Sequence, residues 1–172
     1  PSLKDRFGRY TAFRQRKNIR TPIRNIKHIK TMKTYVLTLS KNFPASHPNA
    51  GQATNFGIEF IDREEFYSSN GGIHKTHTIR ANYPFWEKRF EDIERGNGCL
   101  SVRQWSGKPY CSKQIELERL TKEDGIGLQQ IRVDSDMTIA EIDKKQFNCY
   151  MVAHNDGLSY QDWLDWFKGE EV

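Results

Sequence analysis

A run of polar side chains between His74 and Arg80 is the part of this sequence whose residue types could do chemistry. It holds two histidines, two cations and two threonine hydroxyls within seven residues, directly after the turn-forming Ser-Ser-Asn-Gly-Gly of residues 68–72. Burying such a segment without hydrogen-bond partners would cost roughly 1–3 kcal/mol for each unpaired group. The run therefore either lies on a solvated edge or binds a polar ligand.

Three side chains of this run could bind a ligand directly. His74 and His77 are candidate metal ligands, but a pair spaced i, i+3 without a third ligand nearby is typical of solvated or hydrogen-bonded histidines. We therefore expect no metal and no cofactor. Arg80 could bind a phosphate or carboxylate through two parallel hydrogen bonds, and a structural salt bridge is the alternative.

A second candidate binding surface surrounds the turn near residue 107. Arg103, Trp105, Lys108 and Tyr110 combine cations with aromatic rings in this short stretch. Bases stack on aromatic rings and phosphates are neutralised by cations, so the combination suits a nucleic-acid ligand. The alternative for Trp105 is packing in the core from an alternating strand.

The composition excludes several classes of protein. A length of 172 residues fits one domain with a substantial core. No apolar run approaches the roughly 20 residues of a transmembrane helix and none near the start is typical of a secretory signal, so we expect no membrane partner. Three cysteines without C-x-x-C spacing predict neither a disulfide framework nor a zinc site, and they favour a cytoplasmic location.

Basic residues are concentrated at the N-terminus. Residues 1–31 carry ten lysines and arginines and one acid, whereas the rest of the chain carries 17 basic and 21 acidic side chains. Four isoleucines between residues 19 and 29 recur at helical spacing. We therefore divide the chain into a basic arm, residues 1–31, and a domain, residues 32–172. The arm either contacts RNA or another polyanion, or is a disordered or non-native extension.

The hydrophobic pattern of the domain predicts short strands and helices. Strands are predicted at residues 34–40, 100–105, 113–120, 127–133 and 137–142, of which the second and third form a hairpin. Three helices are predicted to begin after the N-cap residues Asn82, Asn148 and Ser159, the first of them ending at Gly96. Strands that neighbour one another in sequence, with helices at one side, predict a small α+β barrel of about five to six strands.

The order of these elements and their motifs resemble the ASCH family. Residues 75–80, Lys-Thr-His-Thr-Ile-Arg, resemble the family's Lys-Thr-x-Thr-Ile-Arg element, and a helix and a strand-turn-strand run follow as in the family. Residues 155–159, Asn-Asp-Gly-Leu-Ser, are similar to its acidic-Gly-x-Ser/Thr corner. The resemblance covers residues 35–167 and implies a small PUA-like mixed β-barrel flanked by helices, a fold used in RNA binding.

Within this family the chain resembles bacterial amidohydrolases that remove the acetyl group from N4-acetylcytidine. The resemblance implies a catalytic set of Lys75, Thr78 and Asp156, with aspartate in place of the family's longer glutamate. Thr78 would attack the acyl carbon, Lys75 would manage its proton and Asp156 would orient the lysine. Burial or Arg80 would lower the pKa of Lys75 as this role requires, whereas Asp156 would raise it. Positions three apart face opposite sides of a strand, so the segment must bend.

Two functions from different classes remain open. The first is a hydrolase that acts on the linear amide of a modified nucleoside such as N4-acetylcytidine. The second is a non-catalytic module that binds RNA or a nucleotide in the same cleft. Ribonuclease activity has less support because no acid–base pair in the sequence points to it. Arg80, Arg103 and Trp105 are the candidate ligand-binding residues in either case.

Overall fold

The computed structural model of the chain describes residues 10–14, 32–61 and 75–168, and these form an α+β arrangement. The strands of this part are β1 (Tyr10–Arg14), β2 (Lys33–Leu39), β3 (Gly98–Trp105), β4 (Gln114–Leu120), β5 (Gly127–Val133), β6 (Ile139–Ile142) and β7 (Lys145–Asn148). Its helices are α1 (Phe56–Ile61), α2 (Tyr83–Glu94), α3 (Cys149–Asn155) and α4 (Tyr160–Phe167).

The described strands form two sheets. One has the order β1-β5-β6-β7 with antiparallel neighbours throughout, and the other has the order β2-β3-β4. In the second sheet β2 runs parallel to β3, whereas β4 is antiparallel to it. A parallel pair needs a crossover connection rather than a hairpin. The chain between β2 and β3 is that connection, and it includes the polar segment that begins at Lys75.

One hydrophobic core serves both sheets. Leu37 and Val102 of the three-stranded sheet belong to the same buried cluster as Ile131 and Val133 of the four-stranded sheet. Trp163 of α4 is fully buried in this cluster. Because both sheets and the last helix bury side chains in one cluster, a change in either sheet is expected to affect the whole domain.

The predicted hairpin and two of the predicted helix caps are confirmed. The β3 and β4 strands pair as an antiparallel hairpin. The side chain of Asn148 accepts a hydrogen bond from the Tyr150 N–H, and that of Ser159 accepts one from the Asp162 N–H. Asn82 does precede α2, but its φ of 65° places it in the left-handed region and its side chain makes no cap hydrogen bond.

Seven strands are described, whereas the sequence predicts five strand ranges and a total of about five to six strands. The two strands without a predicted range are β1 and β7. Residues 10–14 lie in the basic arm, where they pair with β5 from Tyr10 opposite Ile131 to Arg14 opposite Gly127. The isoleucines predicted to form a helix lie outside the described residues. Within the described part of the chain, no helix is long and apolar enough to cross a membrane.

Substituting Ile131 with alanine tests the shared core. Ile131 is 0% exposed, and deleting a buried isoleucine side chain to alanine costs about 2–5 kcal/mol in the free energy of unfolding. Ile115 on β4 is 53% exposed, so Ile115→Ala is a matched control with an expected change within about 0.5 kcal/mol. Urea unfolding followed by circular dichroism measures the free energy of unfolding of both variants. Equal losses of this free energy in the two variants would contradict the burial of Ile131 in the common core.

Candidate functional site

The chain from Lys75 to Arg80 is irregular and packs against the C-terminal end of α3. The backbone N–H groups of Thr76 and His77 both donate to the Asn155 carbonyl, at 2.8 and 2.9 Å. Successive N–H groups of a straight strand point in opposite directions, so they could not share one acceptor. The backbone therefore bends within this segment, as a shared site for Lys75 and Thr78 requires.

Lys75 is buried and contacts Asp156 in two ways. The side chain, 3% exposed, places its Nζ 2.5 Å from both the Oδ1 and the backbone carbonyl oxygen of Asp156. The same Nζ lies 4.0 Å from the centre of the Phe56 ring, in cation–π geometry. The side chain of Asp156 is thus long enough to contact Lys75.

Gly157 makes room for this pair. Its φ of +78° is in the left-handed region that favours glycine. A Cβ atom at this position would lie 2.3 Å from Oε2 of Glu59 and 3.1 Å from Cβ of Lys75. Both the backbone conformation and the surrounding atoms therefore require glycine after Asp156.

Glu59 of α1 is a buried acid that sequence analysis did not single out. Among the described residues its Oε2 has no hydrogen-bond partner. The pKa of Glu59 is raised to about 7, mainly by burial, with Lys75 opposing the shift and Asp156 adding to it. The one available indication was an acid inside the apolar run Phe-Gly-Ile-Glu-Phe-Ile. Such an acid either points to solvent or is buried beside a cation, and the sequence alone does not distinguish these cases.

The electrostatics of the pair are dominated by burial. Removal from water lowers the pKa of Lys75, although Asp156 and Glu59 act against this shift, and Arg80 adds to it. Burial likewise raises the pKa of Asp156, against the opposing effects of Lys75 and Arg80. The structure therefore moves the amine towards its neutral form, which is the form that could accept a proton.

Arg80 connects the bent segment to the three-stranded sheet. Its Nη1 donates to the Ile79 carbonyl at 2.8 Å and its Nη2 to the Thr38 carbonyl of β2 at 2.7 Å. A guanidinium has five N–H donors, so these two bonds leave donors for a ligand. Arg80 is thus both a structural link and a candidate ligand-binding residue.

Two cavities that share part of their lining lie beside these residues. The outer cleft has a volume of about 860 Å³ and its aromatic walls are Phe43, Trp105, Tyr110 and Trp166. The inner cavity, about 20 Å³, is bordered by Lys75 and Asp156. Three residues border both spaces, namely Ser40, Arg80 and Trp166. The buried charged pair therefore lies behind residues that also line the aromatic cleft.

The structure brings some of the predicted site residues together and separates others. Lys75, Asp156 and Arg80 border the inner cavity, and Trp105 lies on the wall of the outer cleft. Thr78 is buried, but it is not among the described residues that line either space.

Arg103 lies away from the described walls of the outer cleft. Its Nε donates to Ser101 Oγ at 2.7 Å and its Nη2 lies 3.7 Å from Glu116. The pairing of β3 with β4 shifts register between Val102 and Arg103, and such irregularities redirect side chains. In this structure Arg103 has a structural role in the sheet rather than a place in the cleft.

Ser40 was not recognised as a site residue from the sequence. It follows β2 directly and is the hydroxyl residue that borders both the cleft and the inner cavity. His77 is half-buried, and His74 lies outside the described residues. Residues 32–61 and 75–168 contain no cluster of three histidine, cysteine or acidic side chains able to hold a metal ion.

Comparison with known proteins found no match to this chain. No protein-family model, no curated protein and no solved structure matches this chain. The case for a function therefore depends on the geometry of the site and on the motif resemblance.

Replacing Glu59 with glutamine tests the buried acid. Its pKa is about 7 when folded against an ordinary 4.5, so the native state binds the extra proton and this group makes stability fall as pH rises from about 4.5 to 7. Glu59→Gln should therefore be more stable than wild type at pH 8 and equal to it below pH 4.5. Urea unfolding across this pH range measures the difference.

The exposed Glu94 of α2 offers a matched control for this substitution. Glu94→Gln makes the same replacement of a carboxylate by an amide, but at the surface, where a single charge has little influence on stability. The dependence of its stability on pH should therefore follow that of wild type. A Glu59→Gln profile parallel to wild type would contradict the buried, proton-binding carboxyl.

Proposed function

We propose that this protein is an ASCH-type domain that binds a modified nucleoside, free or within RNA, in the aromatic cleft. The observation that carries this proposal is the position of the Lys75–Asp156 pair directly behind the lining of a cleft walled by aromatic rings. A base can stack on such rings while its polar edge meets Arg80, which also borders the cavity of the buried pair. A cytoplasmic location is part of the proposal, supported by the free state of Cys99, Cys111 and Cys149.

A PUA-like barrel is the architecture that we propose for the domain. Two sheets that share one core are compatible with it. Further support comes from the contact between the two stretches that resemble ASCH motifs, residues 75–80 and 155–159. They lie far apart in sequence, yet Lys75 contacts Asp156 and two N–H groups of the first stretch donate to Asn155 of the second. Two motifs that build one site are expected to meet in this way.

Amide hydrolysis is the second candidate function, and the lowered pKa of the buried Lys75 favours it. In this reaction Thr78 Oγ attacks the acyl carbon while Lys75 takes the hydroxyl proton. The C–N bond then breaks, and Lys75 returns the proton to the leaving amine. Water hydrolyses the resulting ester to acetate and regenerates Thr78. Asp156 holds the lysine in place throughout.

Binding is tested with N4-acetylcytidine and cytidine by quenching of tryptophan fluorescence. Replacing Trp105 with leucine should weaken binding about tenfold or more, because stacking of one base on an aromatic ring contributes about 1–3 kcal/mol. Phe85 is an exposed aromatic residue on α2 and lies outside the lining of the cleft, so Phe85→Leu is the control. Equal affinities for the Trp105→Leu variant and wild type would place the ligand elsewhere.

Hydrolysis is tested by chromatographic detection of cytidine formed from N4-acetylcytidine. Thr78→Ala should reduce turnover by about 10³-fold or more, as removal of a nucleophile does. Ser135→Ala, at an exposed hydroxyl outside the lining of both spaces, is the matched control and should retain activity. Loss of activity in Ser40→Ala alone would reassign the nucleophile to the hydroxyl residue that borders both cavities. Binding without turnover in the wild type would identify a binding module instead.

A further inference from the structure

The charge of the outer cleft differs from that of the domain around it. Lys41, Arg80 and Lys108 border the cleft, and its described lining includes no aspartate or glutamate. The chain from Thr31 onward nevertheless carries more acidic than basic side chains, 21 against 17. The cationic cleft is therefore a local arrangement that composition does not explain, and a cleft of one sign concentrates ligands of the opposite sign.

Lys41 borders this cleft and links the end of β2 to the β3–β4 turn. It follows β2, and its Nζ donates at 2.8 Å to the carbonyl of Ser106 in the β3–β4 turn. An ammonium group has three N–H donors, so two remain for a ligand. Because this contact is to a neutral carbonyl, the positive charge of Lys41 is not cancelled by it.

Lys108 stands two residues further along the same turn, which is held by several hydrogen bonds. The Ser106 N–H donates to the Lys113 carbonyl at 2.9 Å, and the Ser112 hydroxyl donates to the Lys108 carbonyl at 2.9 Å. Among the described residues, neither Lys41 nor Lys108 forms a salt bridge with a carboxylate. The turn thus places a second uncompensated cation near the first.

Tyr110 gives this turn an unusual conformation. Its φ of 63° is in the left-handed region, which costs energy for a bulky residue and is concentrated at functional sites. The ring is 90% exposed, and its centre lies 5.4 Å from that of Trp105. The turn therefore carries an aromatic surface together with Lys108, and Lys41 contacts the same turn through the Ser106 carbonyl.

We propose that the ligand of this cleft carries a phosphate, which Lys41 and Lys108 bind while the base stacks on Trp105 and Tyr110. This inference rests on the proposed function, and it specifies a nucleotide rather than an uncharged nucleoside. The phosphate belongs either to a free mononucleotide or to a single strand of RNA. Charge-assisted hydrogen bonds to phosphate oxygens are the interaction that selects it.

Isothermal titration at low ionic strength with three probes tests this proposal. The probes are N4-acetylcytidine, its 5′-monophosphate, and a ribotrinucleotide with the modified base at its centre. We expect both phosphate-bearing probes to bind about tenfold more tightly than the nucleoside, with an advantage that declines as salt is added. Tighter binding of the trinucleotide than of the monophosphate identifies an RNA strand as the source of the phosphate. Equal affinities for these two probes identify the mononucleotide.

The double variant Lys41→Gln, Lys108→Gln should lose the advantage of phosphate and keep the affinity for the nucleoside. Lys122→Gln, an exposed lysine outside the lining of the cleft, is the matched control. The phosphate site is overturned if wild type binds the nucleoside and phosphate adds no affinity. It is also overturned if the added affinity persists in the double variant. Either result leaves the proposed function intact. Absence of binding for all three probes would overturn both.

Discussion

The contact between Lys75 and Asp156 is the interaction on which the site depends. A buried ammonium that lacks a carboxylate partner destabilises a protein by several kcal/mol, roughly 3–5 in known cases. Lys75 can therefore occupy its buried position only because Asp156, 81 residues further along the chain, ends α3 beside it. The close approach in turn requires the missing Cβ of Gly157. The Lys75–Asp156 pair and Gly157 together determine how the crossover between β2 and β3 packs against the C-terminal helices.

The backbone around this pair follows from the same constraint. The last carbonyls of a helix and the N–H groups of an irregular segment both lack regular partners. Here they satisfy one another, because the Asn155 carbonyl accepts hydrogen bonds from the N–H groups of Thr76 and His77. The carbonyl end of a helix also carries partial negative charge, which favours the nearby ammonium group. The bend of the segment is thus a consequence of its hydrogen-bond partners.

Local patterns predicted the parts of the fold that local physics determines. The hairpin and the Asn148 and Ser159 caps depend on neighbouring residues, and the sequence identified them. Strand β7, Lys-Gln-Phe-Asn, is exposed and polar, so it carries no hydrophobic pattern. Lys75 and Asp156 were identified as site residues through a motif resemblance. Their contact, and the burial of Glu59 beside them, depend on how distant elements pack, which no local pattern encodes.

The sizes of the two cavities give the candidate functions different structural requirements. The outer cleft of about 860 Å³ has the size of a small-molecule binding site, so its volume is sufficient for a nucleoside. The inner cavity of about 20 Å³ has room for little more than one water molecule, whose site needs at least about 10–15 Å³. An acetyl group could approach Lys75 only if a side chain shared by both spaces moved, and Trp166 and Arg80 are the large ones. Hydrolysis therefore requires a rearrangement that binding does not, and the bonds of Arg80 to two carbonyls oppose it.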